Sequence, residues 1–588
     1  MVAFAERVAD GIASRRVPVA AALVAVLLAA PALGAGLFID DWLHELVLTG
    51  KADALGAPGA APAMFNFADG DPERVQALKD FGFLPWWTYE NVHLRFWRPL
   101  TELTHKLDYA LWPDSPLLMH AQNLLWFAAA ILAAALLYRR VLREAYTAGL
   151  AAVLFALEDA HAMPAAWVSN RNTLIAFVFG TLAIQAHVRW RRYADRRAGV
   201  MAVLLLLLAL FAKESAIAAC AYLAAYALCL DPDRWRGRLF SLAPYAALVV
   251  AWRAVYVWLG NGIFGSPTYV DPLRSPLMFL AKLFERGPVL LSAQWFAPVA
   301  DLYLALPDWG KAAFSLLGAA TLAFLLWMLW PLLRRDRIAR FWFVGMVLAV
   351  IPCCATFPSE RLLFFVGLGA MGLLAQFLTG WLSLKLTWEA RPPWPRAARA
   401  FLVAMVAVHV ALAPLLLPLR VGGLWAVGAS VEHALASAPL PEDPTGKTIV
   451  LPNAPNVLFT SYLPAMYALD EQPLPQHVRH IGPNNVVPAA VEMTVIDPHT
   501  VRIRPEGGYR WMLVRNRRHP LPPGHREVLP GMTAEVLTLN ADGYPAEVEY
   551  RFDAPLHDPR LVWLVFEKGR FMAFTPPPPG ETVRFGGL

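Results

Sequence analysis

Charge is scarce in this chain. Only 16% of its 588 residues are Asp, Glu, Lys or Arg, against about 25% in a soluble globular protein. That shortage excludes a large soluble enzyme and a disordered chain. Cysteine is scarcer still. The four, at 220, 229, 353 and 354, all lie in apolar stretches. They have neither metal-ligand spacing nor a disulfide frame, so they read as small buried hydrophobes. No repeat of fixed period is present. The formal charge of +6 comes from basic residues set between apolar runs rather than in one patch, so nucleic acid is not an expected partner. What the chain does have is apolar surface: 57% of residues are hydrophobic and mean hydropathy is +0.44. The 22 Trp and 32 Phe fit a protein with lipid–water interfaces. The composition predicts a polytopic α-helical membrane protein, with length left for a further domain.

A span needs about 20 apolar residues to cross a core about 30 Å thick. The first run is Val17 to Phe38, after Arg7, Arg15 and Arg16. It reads as a retained helix. A cleaved signal peptide is the other reading, with Ala32 and Ala35 as small residues near its end. Ten more runs follow at 118–138, 146–158, 171–188, 199–212, 214–230, 239–259, 311–333, 341–356, 362–383 and 400–419, about eleven spans in all. At about 1.5 Å per residue, 146–158 and 199–212 are too short to cross unaided. They are expected to be tilted, met by a thinned bilayer, or broken.

Every second loop is basic. Arg139, Arg140 and Arg143 follow the second run; Arg189, Arg191, Arg192, Arg196 and Arg197 the fourth; Arg234, Arg236 and Arg238 the sixth; Arg334, Arg335, Arg337 and Arg340 the eighth; Lys385, Arg391, Arg396 and Arg399 the tenth. By the positive-inside rule these loops and the N-terminus are expected in the cytoplasm, the membrane being that of a bacterial cell. Three long segments then face outward: 39–117, 260–310 and everything past 420. The second, with Pro267, Pro272, Pro276, Pro288 and Pro298, is expected to lie along the membrane surface. The third has period-2 runs at Val491–Val495, Val501–Arg504 and Ala546–Phe552, and Leu561 to Phe566 reads as a buried strand. Asn540-Ala541-Asp542-Gly543 and Pro505-Glu506-Gly507-Gly508 are turn signals. The expected domains are therefore a membrane domain over 1–420 and an extracytoplasmic β-rich domain over 421–588.

Charge inside a span costs roughly 2.5–3.5 kcal/mol at its centre, so polar residues gathered at the outward ends ask for a reason. Asp40 and Asp41 are expected to close the first span. Arg98, Asp108, His120 and Asn123 lie in or after the first loop. Glu158, Asp159 and His161 close the third span, Asn170, Arg171 and Asn172 open the fourth, Lys213-Glu214 joins the fifth to the sixth, and Glu360-Arg361 joins the ninth to the tenth. One reading is local ion pairs at a solvated interface, Lys213 with Glu214 and Arg361 with Glu360. The other is an outward pocket in which a carboxylate activates a hydroxyl and cations hold a phosphate.

The order of these pieces resembles a known group. It runs Ile39-Asp40-Asp41-Trp42, Arg98-Pro99-Leu100-Thr101, His120-Ala121-Gln122-Asn123 and Leu154-Phe155-Ala156-Leu157 with His161. Ala166-Trp167-Val168-Ser169-Asn170-Arg171, Ala212-Lys213-Glu214-Ser215 and Ser359-Glu360-Arg361-Leu362 complete it. Residues 1–420 thus resemble the membrane half of GT-C glycosyltransferases, nearest the transmembrane and tetratricopeptide-repeat O-mannosyltransferases and their bacterial relatives. The chain departs from that group in lacking a tetratricopeptide array and in having Glu158-Asp159 where the group often has His-Pro. The resemblance implies an inverting transferase that takes a sugar, mannose being one candidate, from a polyprenyl phosphate. Asp40 or Asp41 would be the base. Lys213, Arg361, Arg171 and Arg98 would hold the donor phosphate, supported by Glu158, Asp159, His161, Glu214, His120 and Asn123. The acceptor stays open among protein, lipid and glycan. A divalent metal is not required where cations hold the phosphate, and no cofactor is expected. A transporter or lipid flippase is the competing reading, but it predicts related halves and charge at mid-membrane. A membrane scaffold is the third.

Overall fold

The computed structural model describes residues 2–55, 63–296, 298–383, 394–454, 457–483, 489–510 and 514–586. Two of the loop cations counted above, Lys385 and Arg391, fall outside them. Among the described residues seven helices are long and apolar enough to cross a membrane: Val17–Gly34, Pro116–Val141, Val168–Tyr193, Trp235–Trp258, Asp308–Arg335, Phe364–Leu382 and Trp394–Ala436. The shorter Ala145–Ala156, Arg196–Ala212, Glu214–Cys229 and Arg337–Cys353 take up the remaining apolar runs. The chain is a polytopic α-helical membrane protein with a β-rich C-terminal region.

The helix ends follow local chemistry. Pro sits in the first turn of Pro116–Val141 and Pro99–Leu111, where the missing N–H costs nothing. Asp195 and Asp336 cap the helices after them, accepting the N–H of Ala198 and of Ile338. Among the long helices, Phe364–Leu382 and Val168–Tyr193 have 78% and 72% of their apolar window buried, and Trp235–Trp258 only 22%. The first two are therefore the centre of the bundle and the third its rim. Close packing at the centre depends on small residues: a Cβ on Gly369 would stand 2.6 Å from the Trp342 carbonyl oxygen.

Two expected boundaries move. The first apolar helix is Val17–Ala29, continued by a 3-10 turn Ala30–Gly34; Pro31 and Gly34 end it well before Phe38. Asp40 and Asp41 therefore do not close the first span. They open a separate helix, Asp40–Leu48, after Ile39 in a positive-φ conformation (54°). The last helix does not end at 419. It runs to Ala436 through a π turn, Ala407–Leu412, because the apolar pattern continues past Arg420. The expected domain start at 421 falls inside it. In the expected surface segment, Pro276–Ala293 is an 18-residue helix with Pro288 inside. It packs on Asp308–Arg335, whose Gly318 has no room for a Cβ against the Pro288 backbone. Cys353 and Cys354 are buried and Cys220 and Cys229 half-buried, all four as free thiols.

The chain divides into two compact units that ignore sequence order. One is Met1–Gly36, Trp97–Leu259 and Pro272–Trp425, the helical part. The other is Leu37–Phe96, Gly260–Asp271 and Ala426–Leu588. In this second unit the first loop and the tail fold together. Asn66–Asp69, His93–Arg95 and Gly262–Phe264 form a three-stranded sheet. A six-stranded antiparallel sheet contains Val491–Asp497, Thr500–Pro505 and Pro545–Phe552, where alternation and turn signals place them, and also Met532–Leu539, which is not among the period-2 runs above. Leu561–Glu567 is a buried strand as expected, but it pairs in parallel with Thr448–Leu451, which pairs in parallel with His477–His480. The helix Val457–Leu469 connects the last two.

Candidate functional site

Within the helical unit the cations of the loop motifs do not share one fate. Arg171 is fully buried, ion-paired to Asp108 at 2.5 Å and donating to the Met119 carbonyl at 2.8 Å. Its charge is met by Asp108 within the helical unit. Arg98 donates from Nε and Nη2 to Glu214 at 3.1 and 2.9 Å. Glu360 is taken by Arg420, which also holds Asp159 at 2.6 Å. Glu158 is buried against His409 at 3.1 Å. The local pairs Lys213–Glu214 and Arg361–Glu360 do not form, since each acid binds a different cation.

Lys213 and Arg361 are left over. Lys213 sits at the joint between Arg196–Ala212 and the 3-10 turn Glu214–Ile217. Its Nζ donates to Thr173 Oγ1 at 2.6 Å and Asn170 Oδ1 at 3.3 Å, both at the start of Arg171–Tyr193. Among the described residues no carboxylate lies within ion-pair distance of it. Burial pushes its pKa well below the usual lysine value, and Arg98 and Arg361 push the same way while Glu214 opposes them. An arriving anion would reverse that balance. Arg361 lies over two aromatic faces, its guanidinium carbon 5.7 Å from the Trp167 ring centroid and 5.1 Å from that of Phe357. Its Nε is buried with no hydrogen-bond partner among the described residues. Arg361 also lines a small cavity of about 10 Å³, room for roughly one water, with Thr173, Ser215, Cys353, Phe364 and Phe365. Among the described residues neither Lys213 nor Arg361 has a carboxylate partner and the Arg361 Nε has no acceptor, a chemistry suited to an anion.

The turn bearing Arg361 is pinned from outside. Asp301 accepts from Ser359 Oγ at 2.6 Å and from the Glu360 N–H at 3.0 Å. Burial pushes the Glu360 carboxyl up to about 7 in spite of Arg420. His161 stacks on Phe364 at 4.1 Å, and burial drops its pKa to about 3, so it is a neutral core residue. Asn123 donates to the Pro164 and Ala165 carbonyls at 3.0 and 2.7 Å. His120 Nε2 lies 3.2 Å from the Gly36 carbonyl oxygen. These three hold loops in place. No group of three or more His, Cys, Asp or Glu among the described residues is arranged to hold a metal ion.

In the second unit the acidic pair splits. Asp41 is 3% exposed, and its Oδ2 accepts the Phe38 N–H at 3.1 Å. It ties back the chain just before the helix and lies in a first helical turn, where a carboxylate is favoured by the helix dipole. Asp40 is half-buried, and its Oδ1 accepts from the Tyr462 hydroxyl at 3.0 Å. Sequence reasoning missed Tyr462, Thr173, His409 and Arg420. The last two carried a readable signal, a His and an Arg in an apolar run that continues past them.

No protein-family model matches the chain, and no curated protein matches it in sequence. Among solved structures, it is similar to an oligosaccharyltransferase of Archaeoglobus fulgidus tethered to an acceptor peptide, at 13% identity and TM-score 0.42, over 80% of this chain and 64% of that one. It is similar to AglB of the same organism in complex with an inhibitory peptide and a dolichol-phosphate, at 12% identity and TM-score 0.41, over 78% and 64%. It is also similar to ArnT of Cupriavidus metallidurans bound to undecaprenyl phosphate, at 13% identity and TM-score 0.32, over 76% and 89%. The chain thus spans about two thirds of the length of the archaeal structures it matches.

Proposed function

We propose that the chain is a membrane glycosyltransferase of GT-C type, moving a sugar from a polyprenyl-phosphate donor to an acceptor hydroxyl on the extracytoplasmic face with inversion. The observation that carries this reading is the pair Lys213 and Arg361. Neither has a carboxylate partner among the described residues, while Glu214, Glu360, Asp159 and Asp108 are each engaged by another cation. Glu158 is in turn paired with His409. Where the surrounding acids are all spent on other partners, the two remaining cations are set for an anion from outside the chain. A phosphate leaving group needs such cations and little acid help.

In this reading Lys213 and Arg361 hold the donor phosphate, with Ser215 as a hydroxyl donor, Thr173 positions Lys213 by accepting from its Nζ while donating to Asn170, and Arg98 fixes Glu214 so that it does not neutralise Lys213. The resemblance implies a base from the Asp40-Asp41 pair; of the two, Asp40 is the half-buried one, and it takes the proton of the acceptor hydroxyl as that hydroxyl's oxygen bonds the anomeric carbon. The bond from that carbon to the phosphate oxygen breaks on the opposite side, and the polyprenyl phosphate leaves with the electron pair. The outward orientation is inferred from the alternation of Arg-rich loops. The test is transfer of radiolabelled sugar from a polyprenyl phosphate to an acceptor by the purified protein in detergent. Transfer supports the reading. A protein that moves lipid across vesicles and transfers no sugar in detergent is a flippase, and the reading fails.

A further inference from the structure

The acids that could neutralise Lys213 and Arg361 are kept occupied, and one residue occupies two of them. Arg420 lies in the long last helix, Trp394–Ala436. Its Nη1 donates to Asp159 at 2.6 Å, and its Nη2 donates to Glu360. Asp159 belongs to the loop that continues to Trp167, and Glu360 immediately precedes Arg361. Trp167 is one of the two rings over which the Arg361 guanidinium lies. Arg420 therefore ties together the two loops that hold Arg361, at a planar fork suited to two carboxylates.

We propose that Arg420 is a positioning residue for the phosphate site: it holds the Arg361 turn in place and keeps Asp159 and Glu360 from neutralising the site's cations. The proposal rests on the reading of Lys213 and Arg361 as a phosphate site. Two charged groups besides Arg420 bear on Glu360, and both are acids, Asp301 and Asp159. With Arg420 gone, Glu360 is buried beside two acids with no other cation among the described residues holding its pKa down, so at pH 8 it keeps its charge where it pairs with Arg361, the cation next along the chain. A Glu360 that turns to Arg361 closes the site to anions.

The experiment measures binding of farnesyl phosphate to the full-length protein in detergent at pH 8, with farnesol as the control for the isoprenyl tail. Wild type is expected to bind farnesyl phosphate more tightly than farnesol. Arg420→Gln is expected to weaken farnesyl phosphate binding by about 10-fold or more, the scale of one charged hydrogen bond, and to leave farnesol binding unchanged. The double variant Arg420→Gln with Glu360→Gln removes the stray charge and is expected to return to near wild-type affinity. Loss of packing alone gives no such rescue. Wild-type affinity in Arg420→Gln overturns the proposal, as does a double variant as weak as the single one. Equal binding of farnesol and farnesyl phosphate by wild type overturns the phosphate site itself, and this proposal with it.

Discussion

Asp40 and Asp41 are adjacent in sequence, and the structure gives them different work, so their Asn variants should separate. Asp41 is 3% exposed, lies in the first turn of its helix and accepts the N–H of Phe38, just before that helix, at 3.1 Å. Asp41→Asn keeps an acceptor oxygen but removes the charge. The lost helix-dipole interaction is about 0.3–1 kcal/mol, and a neutral acceptor in place of a charged one loses about 1 kcal/mol more. The expected result is a loss of about 1–2 kcal/mol in stability, or a fall of a few degrees in thermal midpoint. Asp40 is half-buried and accepts from the Tyr462 hydroxyl at 3.0 Å. Asn at 40 keeps an acceptor for that hydroxyl, so the midpoint should change little. It removes the proposed proton acceptor, and general-base catalysis is worth about 10²–10⁴-fold. Asp40→Asn should therefore lose at least about 100-fold in sugar turnover with its midpoint unchanged. The assay is single-turnover transfer from a radiolabelled polyprenyl-phosphate sugar, normalised to folded protein. If Asp40→Asn is present at normal levels and keeps near-full turnover, Asp40 is not the base. If Asp41→Asn alone is inactive with an unchanged midpoint, the assignment of the two residues is reversed.

Three further outcomes are expected. A reporter active only in the cytoplasm, fused after Leu588, should be silent, since the alternation of Arg-rich loops puts the tail outside; an active fusion contradicts the proposed topology. Lys213→Ala and Arg361→Ala should each weaken donor use by roughly 10- to 100-fold, the loss of one charge-assisted contact, and leave acceptor use nearly unchanged; donor titration of each variant reads this, and an unchanged apparent donor affinity contradicts it. Glu360, whose pKa burial raises to about 7, holds its proton more tightly folded than unfolded, so its contribution to stability is full at low pH and is lost as pH rises through about 7. Glu360→Gln should flatten that decline in thermal midpoint between about pH 4.5 and 7; an unchanged slope contradicts the burial of an ionisable acid there.

Helix positions were legible because apolar length is a local property of the chain: all eleven runs became helices, although among the described residues only seven helices are long and apolar enough to cross a membrane. Strands were legible where one face is buried, as at Val491–Asp497 with its alternating burial. The four-residue strands Thr448–Leu451 and His477–His480 are too short to show a period, so the parallel pairing was not. The acidic pair was placed at the wrong helix end because a continuous apolar run hides the break at Pro31 and Gly34. Ion pairing was the least legible feature. Glu214 stands next to Lys213 in sequence, yet its partner Arg98 is 116 residues away. His409 and Arg420 reach Glu158 and Asp159 across 251 and 261 residues. Neighbours in sequence face apart on a helix, so which acid neutralises which cation is decided by packing alone.

The most direct measurement is a structure of the protein with a polyprenyl phosphate bound. The account predicts the phosphate within hydrogen-bond reach of Lys213 Nζ and the Arg361 guanidinium, with the Arg98–Glu214 and Arg420–Glu360 pairs unbroken. A phosphate bound elsewhere, with Lys213 still held only by Thr173 and Asn170 and Arg361 still without an anion, would contradict it.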